Sequence, residues 1–383
     1  FQDDGPSLTG APLPASDRCA SAFSGGKDSL LQAGLLTELT RRPLFVPTTS
    51  PMPPLEDHLT PRRAFVLRQI SRRRDAELVE VVSNYRGVWK NDYAYSIGYR
   101  MSINEMTDTF LYLASLLAVS VAKGVPHLFL ASEIEVNETL EIGGRTVQHP
   151  HFMYSIISLG VMSALLRPWG IEVSSLTCPL HSFQVQELLW TRYADIRDLQ
   201  YSCWRVSGDD SICNACSQCL RIALSALALG ADPADMGADM IRLLNANREW
   251  KPIKHDGSGP LSPSQISSLQ LNSHVMRTIM DISGETMAAC LERLAPDNTP
   301  EKQSALAAYA ELRARARAWA PEPAPGFRPE YEIFIDPLLR QGIGRIYTEH
   351  FTPATPDSYA GALSRSAAAL NHIIEPLQTE SFT

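Results

Sequence analysis

The chain has 383 residues, 44% of them hydrophobic and 20% charged, and a net charge of −8. These ordinary globular values exclude a disordered chain, a collagen-like chain and a coiled coil, and the acidic balance disfavours sequence-independent binding of a long nucleic acid. At about 150 residues per domain the length predicts two domains, acting on a small substrate or a protein partner.

In chain order, residues 1–16 are rich in Pro, Gly and Ser and read as a loose leader. Cys19 to Phe23 is a short apolar run, Ser24 to Asp28 a polar glycine loop, and Leu30, Leu31, Ala33, Leu35, Leu36 and Leu39 form a helical apolar face. A strand at Leu44 to Val46 follows, then a helix behind Thr60 and Pro61, a cap residue and a first-turn proline. A strand around Leu78 to Val82, a helix from Asn104 to Lys123 stopped by Gly124, and a strand at His127 to Ala131 continue the pattern. A helix near Tyr154 to Leu166 and a strand near Ile171 to Ser174 complete it. Strands alternating with helices predict an α/β fold, a parallel sheet with helices on both faces. Residues 17–231 form the expected core domain, and 232–383 a mostly helical extension, with helices over Ser273 to Leu294 and Lys302 to Trp319. The apolar stretches Phe110 to Ala122 and Met153 to Leu166 are too short and too interrupted for the ~20 residues of a membrane span. The opening Phe1-Gln2-Asp3-Asp4 does not read as a secretory signal, so a cytoplasmic setting is expected.

The segment Ser24-Gly25-Gly26-Lys27-Asp28-Ser29 lies between a predicted strand and the start of a helix, where backbone N–H groups and the helix dipole favour an anion. Two glycines let the backbone approach phosphate oxygens, and Ser24 and Ser29 carry hydroxyl donors. The plain alternative is a serine-rich turn with a helix cap. A Walker A loop is excluded, because Ser21 and Asp28 stand where that pattern needs Gly and Ser or Thr.

Four of the seven cysteines, Cys203, Cys213, Cys216 and Cys219, follow C-x9-C-x2-C-x2-C. In a reducing compartment such clustering indicates metal rather than disulfides. Tetrahedral Zn²⁺ suits four thiolates at this spacing, and an iron–sulfur cluster uses the same ligand type. Cys19 and Cys290 read as core residues, and Cys178 as buried packing rather than a nucleophile. Arg72-Arg73-Arg74 reads as the solvated C-terminus of a helix.

The glycine loop resembles the Ser-Gly-Gly-x-Asp-Ser signature of the PP-loop ATP pyrophosphatases, which cleave ATP between the α and β phosphates to adenylate a carbonyl or carboxyl oxygen. Together with Cys203-Trp204…Cys213-Asn214-Ala215-Cys216-Ser217-Gln218-Cys219-Leu220-Arg221 it is similar to one branch of that family, the 7-cyano-7-deazaguanine synthases, over about residues 17 to 230. The resemblance implies that Ser24, Gly25, Gly26, Asp28 and Ser29 hold the pyrophosphate of ATP, that Asp28 helps to hold Mg²⁺, and that Lys27 acts beside it. It implies a Zn²⁺ site at the four cysteines and a deazapurine-like substrate whose donor face Glu133 or Glu135 accepts. Two positions depart from the family. Val185 stands where its ATP-contacting lysine is expected, a role that Lys27 or Arg100 would then fill, and His151 stands where an aspartate is expected.

The resemblance therefore implies an adenylating carbon–nitrogen ligase diverged from the housekeeping synthase, of the kind found in bacterial defence or secondary-metabolite operons. It would use ammonia or a protein or peptide amine, give an amide or a nitrile, and act as a homodimer. A tRNA-modifying enzyme of the same superfamily and a catalytically idle nucleotide-binding module that engages a partner protein are the alternatives.

Overall fold

The computed structural model describes residues 11–49, 61–83, 104–134, 139–142, 145–148, 154–201, 203, 212–248, 277–319 and 326–355. Its centre is a five-stranded parallel sheet. In chain order the strands are β1 (Cys19–Ala22), β2 (Leu44–Val46), β3 (Thr48–Thr49), β4 (Glu77–Leu78), β5 (Val81–Val82) and β6 (His127–Phe129). A hairpin, β7 (Thr139–Ile142) and β8 (Arg145–Gln148), precedes β9 (Glu172–Ser174). The main sheet runs β4-β2-β1-β6-β9, every pair parallel.

Both faces of this sheet are covered, so its strands place apolar residues on both sides rather than on one. Phe45 and Phe129 turn to one core, while their neighbours Leu44, Val46, Leu128 and Leu130 turn to the other. The helices α1 (Lys27–Leu39) and α2 (Pro61–Arg73) lie on the first face, and α3 (Asn104–Lys123) and α4 (Ile156–Leu166) on the second. Ser155 caps α4 by accepting from the Ser158 amide.

The expected strand from Leu78 to Val82 divides into β4 and β5 because its partner divides too. Pro47 interrupts the neighbouring strand and has no N–H for a ladder; its carbonyl accepts from Val81 N–H at 3.0 Å, and Thr48–Thr49 then pair with Val81–Val82 as a separate two-stranded ribbon. The strand expected over His127 to Ala131 ends at Phe129. The β7–β8 hairpin was not among the expected elements. Its register pairs Ile142 with Arg145.

Beyond β9, α5 (Ser182–Thr191) packs on α1, and α6 (Ser217–Ala228) carries the last of the clustered cysteines, Cys219. After α7 (Met240–Ala246) come α8 (Gly284–Leu294), α9 (Pro300–Trp319) and α10 (Arg340–His350). One apolar core runs through all of these, from Leu30 and Leu35 of α1 to Met287, Leu312 and Tyr347. The later residues are fastened to the sheet domain at specific points. The Tyr347 hydroxyl donates to the Leu176 carbonyl at 2.5 Å, the Arg328 amide donates to the Pro179 carbonyl at 2.9 Å, and Arg192 bridges Glu38 of α1 and Glu349 of α10.

Arg73 and Arg74 do more than solvate the end of α2. Arg73 forms a two-pronged pair with Asp198, and Arg74 pairs with Asp195 while lying over the Tyr193 ring, so the basic run fastens α2 to the segment after α5. Among the described residues no helix is long and apolar enough to cross a membrane.

Candidate functional site

The order β4-β2-β1-β6-β9 reverses direction at β1: the chain leaves β1 through α1 on one face, and returns to β6 through α3 on the other. The crevice at such a reversal, outside the carboxyl ends of the strands, is where open α/β sheets bind ligands. The loop Ser24–Gly26 leaves β1 on one side of this crevice, and Ser132 and Glu133 leave β6 on the other.

The glycine loop holds its own shape. Gly25 adopts φ +82°, a conformation that disfavours any side chain, and a Cβ there would stand 3.3 Å from Val66 of α2. Its N–H donates to Ser29 Oγ at 3.0 Å, the Gly26 N–H donates to Ser24 Oγ at 3.3 Å, and the Ser29 hydroxyl donates to the Gly26 carbonyl at 3.0 Å. The two serines therefore brace the turn at the N-terminus of α1, where Gly26 is the cap residue and makes no side-chain cap.

Lys27 and Asp28 open α1. Lys27 Nζ lies 2.6 Å from Asp28 Oδ1 and forms a second, closer ion pair with Glu133 across the crevice. All three side chains are largely removed from water. Burial penalises the lysine's charge, but Asp28 and Glu133 outweigh it and raise the Lys27 pKa above the ordinary value. Burial and the neighbouring Asp28 push Glu133 up to about 7, against the pull of Lys27. Among the described residues the crevice brings two carboxyl groups to one ammonium. Asp28 offers the carboxylate oxygen that a hard cation prefers.

Behind these residues, hydroxyls tie the two strand ends together. Ser132 N–H donates to Ser175 Oγ at 3.0 Å, and Thr177 Oγ1 donates to the Ser132 carbonyl at 2.8 Å. Gln32 of α1 reaches under the loop, donating to Ser21 Oγ at 2.8 Å and accepting from the Leu176 amide at 3.1 Å. The positions of Lys27 and Glu133 are thus held from both sides.

The four clustered cysteines converge. Their sulfurs all lie within 4.8 Å of one another, with Cys216–Cys219 at 3.4 Å, Cys213–Cys219 at 3.7 Å and Cys203–Cys216 at 4.0 Å. A tetrahedral ion at about 2.3 Å from each sulfur separates them by roughly 3.8 Å. The set therefore fits one metal ion such as zinc, and no disulfide forms among the described cysteines. The left-handed Asn214 (φ 52°) bends the chain between Cys213 and Cys216, and its amide is fixed by the Gly237 carbonyl and the Asp239 N–H. Arg221 follows Cys219 on α6; burial lowers its pKa, and Glu133 and Cys216 offset part of that.

Among the other candidates, Val185 is fully buried on α5 within the apolar core, so that position does not open to solvent. Cys178 is also fully buried, and burial drives its thiol far above the ordinary range, as suits packing. Cys19 and Cys290 are buried core residues. Glu135, Arg100 and His151 lie outside the described residues. Two residues that the sequence reading did not single out complete the surroundings: Thr177, in the segment after β9, and Gln32, a polar side chain on an otherwise apolar helix face.

A scan against protein-family models finds no match to this chain, and comparisons with curated proteins and with solved structures likewise find no significant match.

Proposed function

We propose that this chain is a PP-loop enzyme that spends ATP to adenylate the carboxylate of a 7-deazaguanine-type acid for attack by a nitrogen nucleophile. The observation that carries this reading is the meeting of Lys27, Asp28 and Glu133 at the reversal point of the sheet, beside a glycine loop braced by its own serines. Asp28 would hold a magnesium ion, which would neutralise the β and γ phosphates beside the glycine loop. A substrate carboxylate oxygen attacks the α phosphorus, and pyrophosphate leaves. The amine then displaces AMP from the acyl carbon, giving an amide. Positioning and charge stabilisation supply the rate. Lys27 exchanges its carboxylate partners for phosphate when nucleotide enters, which frees Glu133 to accept the donor edge of a guanine-like ring. Zinc at the four cysteines is structural, since four thiolates leave no open position.

The test is the release of AMP and pyrophosphate with and without 7-carboxy-7-deazaguanine. Acid-dependent release supports the reading, and no release with any carboxylic acid of this class refutes it. One observation favours the idle nucleotide-binding module instead: the buried, apolar Val185 stands where a catalytic lysine is expected by resemblance. Nucleotide binding without turnover is its signature.

A further inference from the structure

The stretch of chain that leads to the first clustered cysteine also touches the glycine loop. It is held at successive points on the way. Arg73 of α2 pairs with Asp198, and Arg62 donates to the Asp198 carbonyl at 2.7 Å. The buried Gln200 exchanges two hydrogen bonds with Gln186 of α5, at 2.8 and 3.2 Å. At the next residue the Tyr201 N–H donates to the Gly25 carbonyl at 2.7 Å. Two residues on stands Cys203, whose sulfur lies 4.0 Å from that of Cys216. Two residues of chain span at most about 7 Å, so one short strap ties the sulfur cluster to the glycine loop.

The hydrogen bond from Tyr201 controls more than one atom of that loop. The peptide joining Gly25 to Gly26 is planar and trans, so its C=O and N–H point in opposite directions. Holding the carbonyl on Tyr201 turns the Gly26 N–H to the far side, where it donates to Ser24 Oγ. The Gly25 N–H is spent on Ser29 Oγ. A Cβ at Gly25 would stand 3.6 Å from the Tyr201 Cβ, so strap and loop are in close contact as well. Behind Tyr201 the strap is fixed by Gln200. Ahead of it the fixing point is Cys203, and thiols alone make only weak hydrogen bonds to one another, whereas bonds to a shared metal ion are rigid.

We infer that a metal ion held by the four cysteines fixes the glycine loop through the Tyr201 amide, so that Tyr201 is a positioning residue for the nucleotide and metal occupancy sets nucleotide affinity. The effect on nucleotide rests on the reading of this loop as an ATP site; the effect on the loop itself does not. One hydrogen bond of ordinary strength corresponds to roughly a fivefold change in an equilibrium constant. Because such coupling is reciprocal, bound nucleotide tightens the metal by the same factor.

Hydrogen exchange of the full chain tests this, loaded with zinc and again after chelation and return to Mg²⁺ buffer. Stripping should speed exchange several-fold over residues 24–29 and leave α4, on the other face of the sheet, unchanged; added zinc should restore it. Tyr201→Pro removes the N–H, and the preceding Gln200 already has ψ 122°, within the range that a following proline imposes. This variant should show the fast loop at full zinc content, whereas Tyr201→Ala, which keeps the N–H, should show the slow one. A non-hydrolysable ATP analogue with Mg²⁺ should bind about fivefold more weakly to the stripped chain and to Tyr201→Pro. Loop exchange that is the same with and without zinc overturns the inference. So does exchange that rises equally in α4, which would make the metal a support of the whole fold, or a loop loosened equally in Tyr201→Ala. A loaded chain that takes no analogue but keeps its zinc-dependent loop exchange overturns the ATP reading and supports the positioning role.

Discussion

Lys27 pairs with Glu133 across 106 positions of sequence, joining the loop after β1 to the loop after β6. The pair gives the crevice a definite pH response. Glu133 titrates near 7 in the folded chain, raised by burial and by Asp28, whereas an unfolded glutamate titrates near 4.3. Between those values the folded chain holds the extra proton, so stability falls as pH rises through the window, by up to about 1.4 kcal/mol per pH unit. Glu133→Gln should flatten this slope between pH 5 and 7. Denaturant midpoints of the two proteins, measured in parallel across that range, check it; parallel slopes would count against the buried carboxylate.

Asp28→Ala should abolish ATP consumption while leaving the melting temperature within a few degrees of wild type. Asp28 faces the crevice and its lost partner, Lys27, retains Glu133. Turnover at the wild-type rate would mean that the glycine loop is not where ATP reacts.

One zinc per chain is expected by metal analysis. Cys216→Ser should lower the zinc content below half an equivalent and drop the melting temperature by several degrees, because metal binding at such a site is folding free energy. A brown, iron-containing protein would point to the rival cluster.

His127 should titrate above the ordinary histidine range. Its Nδ1 lies 2.7 Å from Asp336 Oδ2 and its Nε2 3.0 Å from the Ser16 carbonyl. Both partners can accept, so the site favours the form of the ring that donates from both nitrogens, and the Asp336 hydrogen bond is the main cause of the raised pKa. This stabilisation is complete below the unfolded value of about 6.5 and is lost as pH rises through the folded value. Asp336→Asn should cost on the order of 2 kcal/mol at pH 6 and clearly less at pH 9. An NMR titration placing His127 below 6 would contradict the assignment.

The product should be an amide, with one ATP used per product. The synthases that this chain resembles use a second ATP to dehydrate the amide to a nitrile, and on the proposed reading Val185 leaves that step without the lysine expected there. Mass spectrometry of the reaction of the deazaguanine acid with ammonia, or with a protein amine, reads this directly; accumulation of free nitrile would show a complete synthase.

What could be read from the sequence was local. A short apolar run, two glycines and a helical face in succession announced β1, the loop and α1, because the period changes from strand to helix within ten residues. The cysteine spacing announced the four-sulfur cluster, because C-x2-C steps keep successive thiols close along the chain. The resemblance named Glu133 or Glu135 after β6, and the pairing of Glu133 with Lys27 depends on where β6 ends, at Phe129 rather than Ala131. His127 and Asp336 are 209 positions apart, and a contact between such distant residues leaves no periodic trace. The β7–β8 hairpin did leave one, in the alternation along its strands. It went unread because neither four-residue strand stands out by itself.

Gly342 of α10 lies against Leu39 at the end of α1, so close that a Cβ would stand 2.7 Å from the leucine methyl. During synthesis, the outer side of α1 must therefore wait for some 300 further residues before it is sealed. Until α10 emerges, the nascent chain carries an open apolar seam, the kind of surface that chaperones hold and that aggregates form from. Expression that is lost when the chain is cut ahead of α10, and rescued when that helix is supplied as a separate fragment, would be the cellular trace of this late closure.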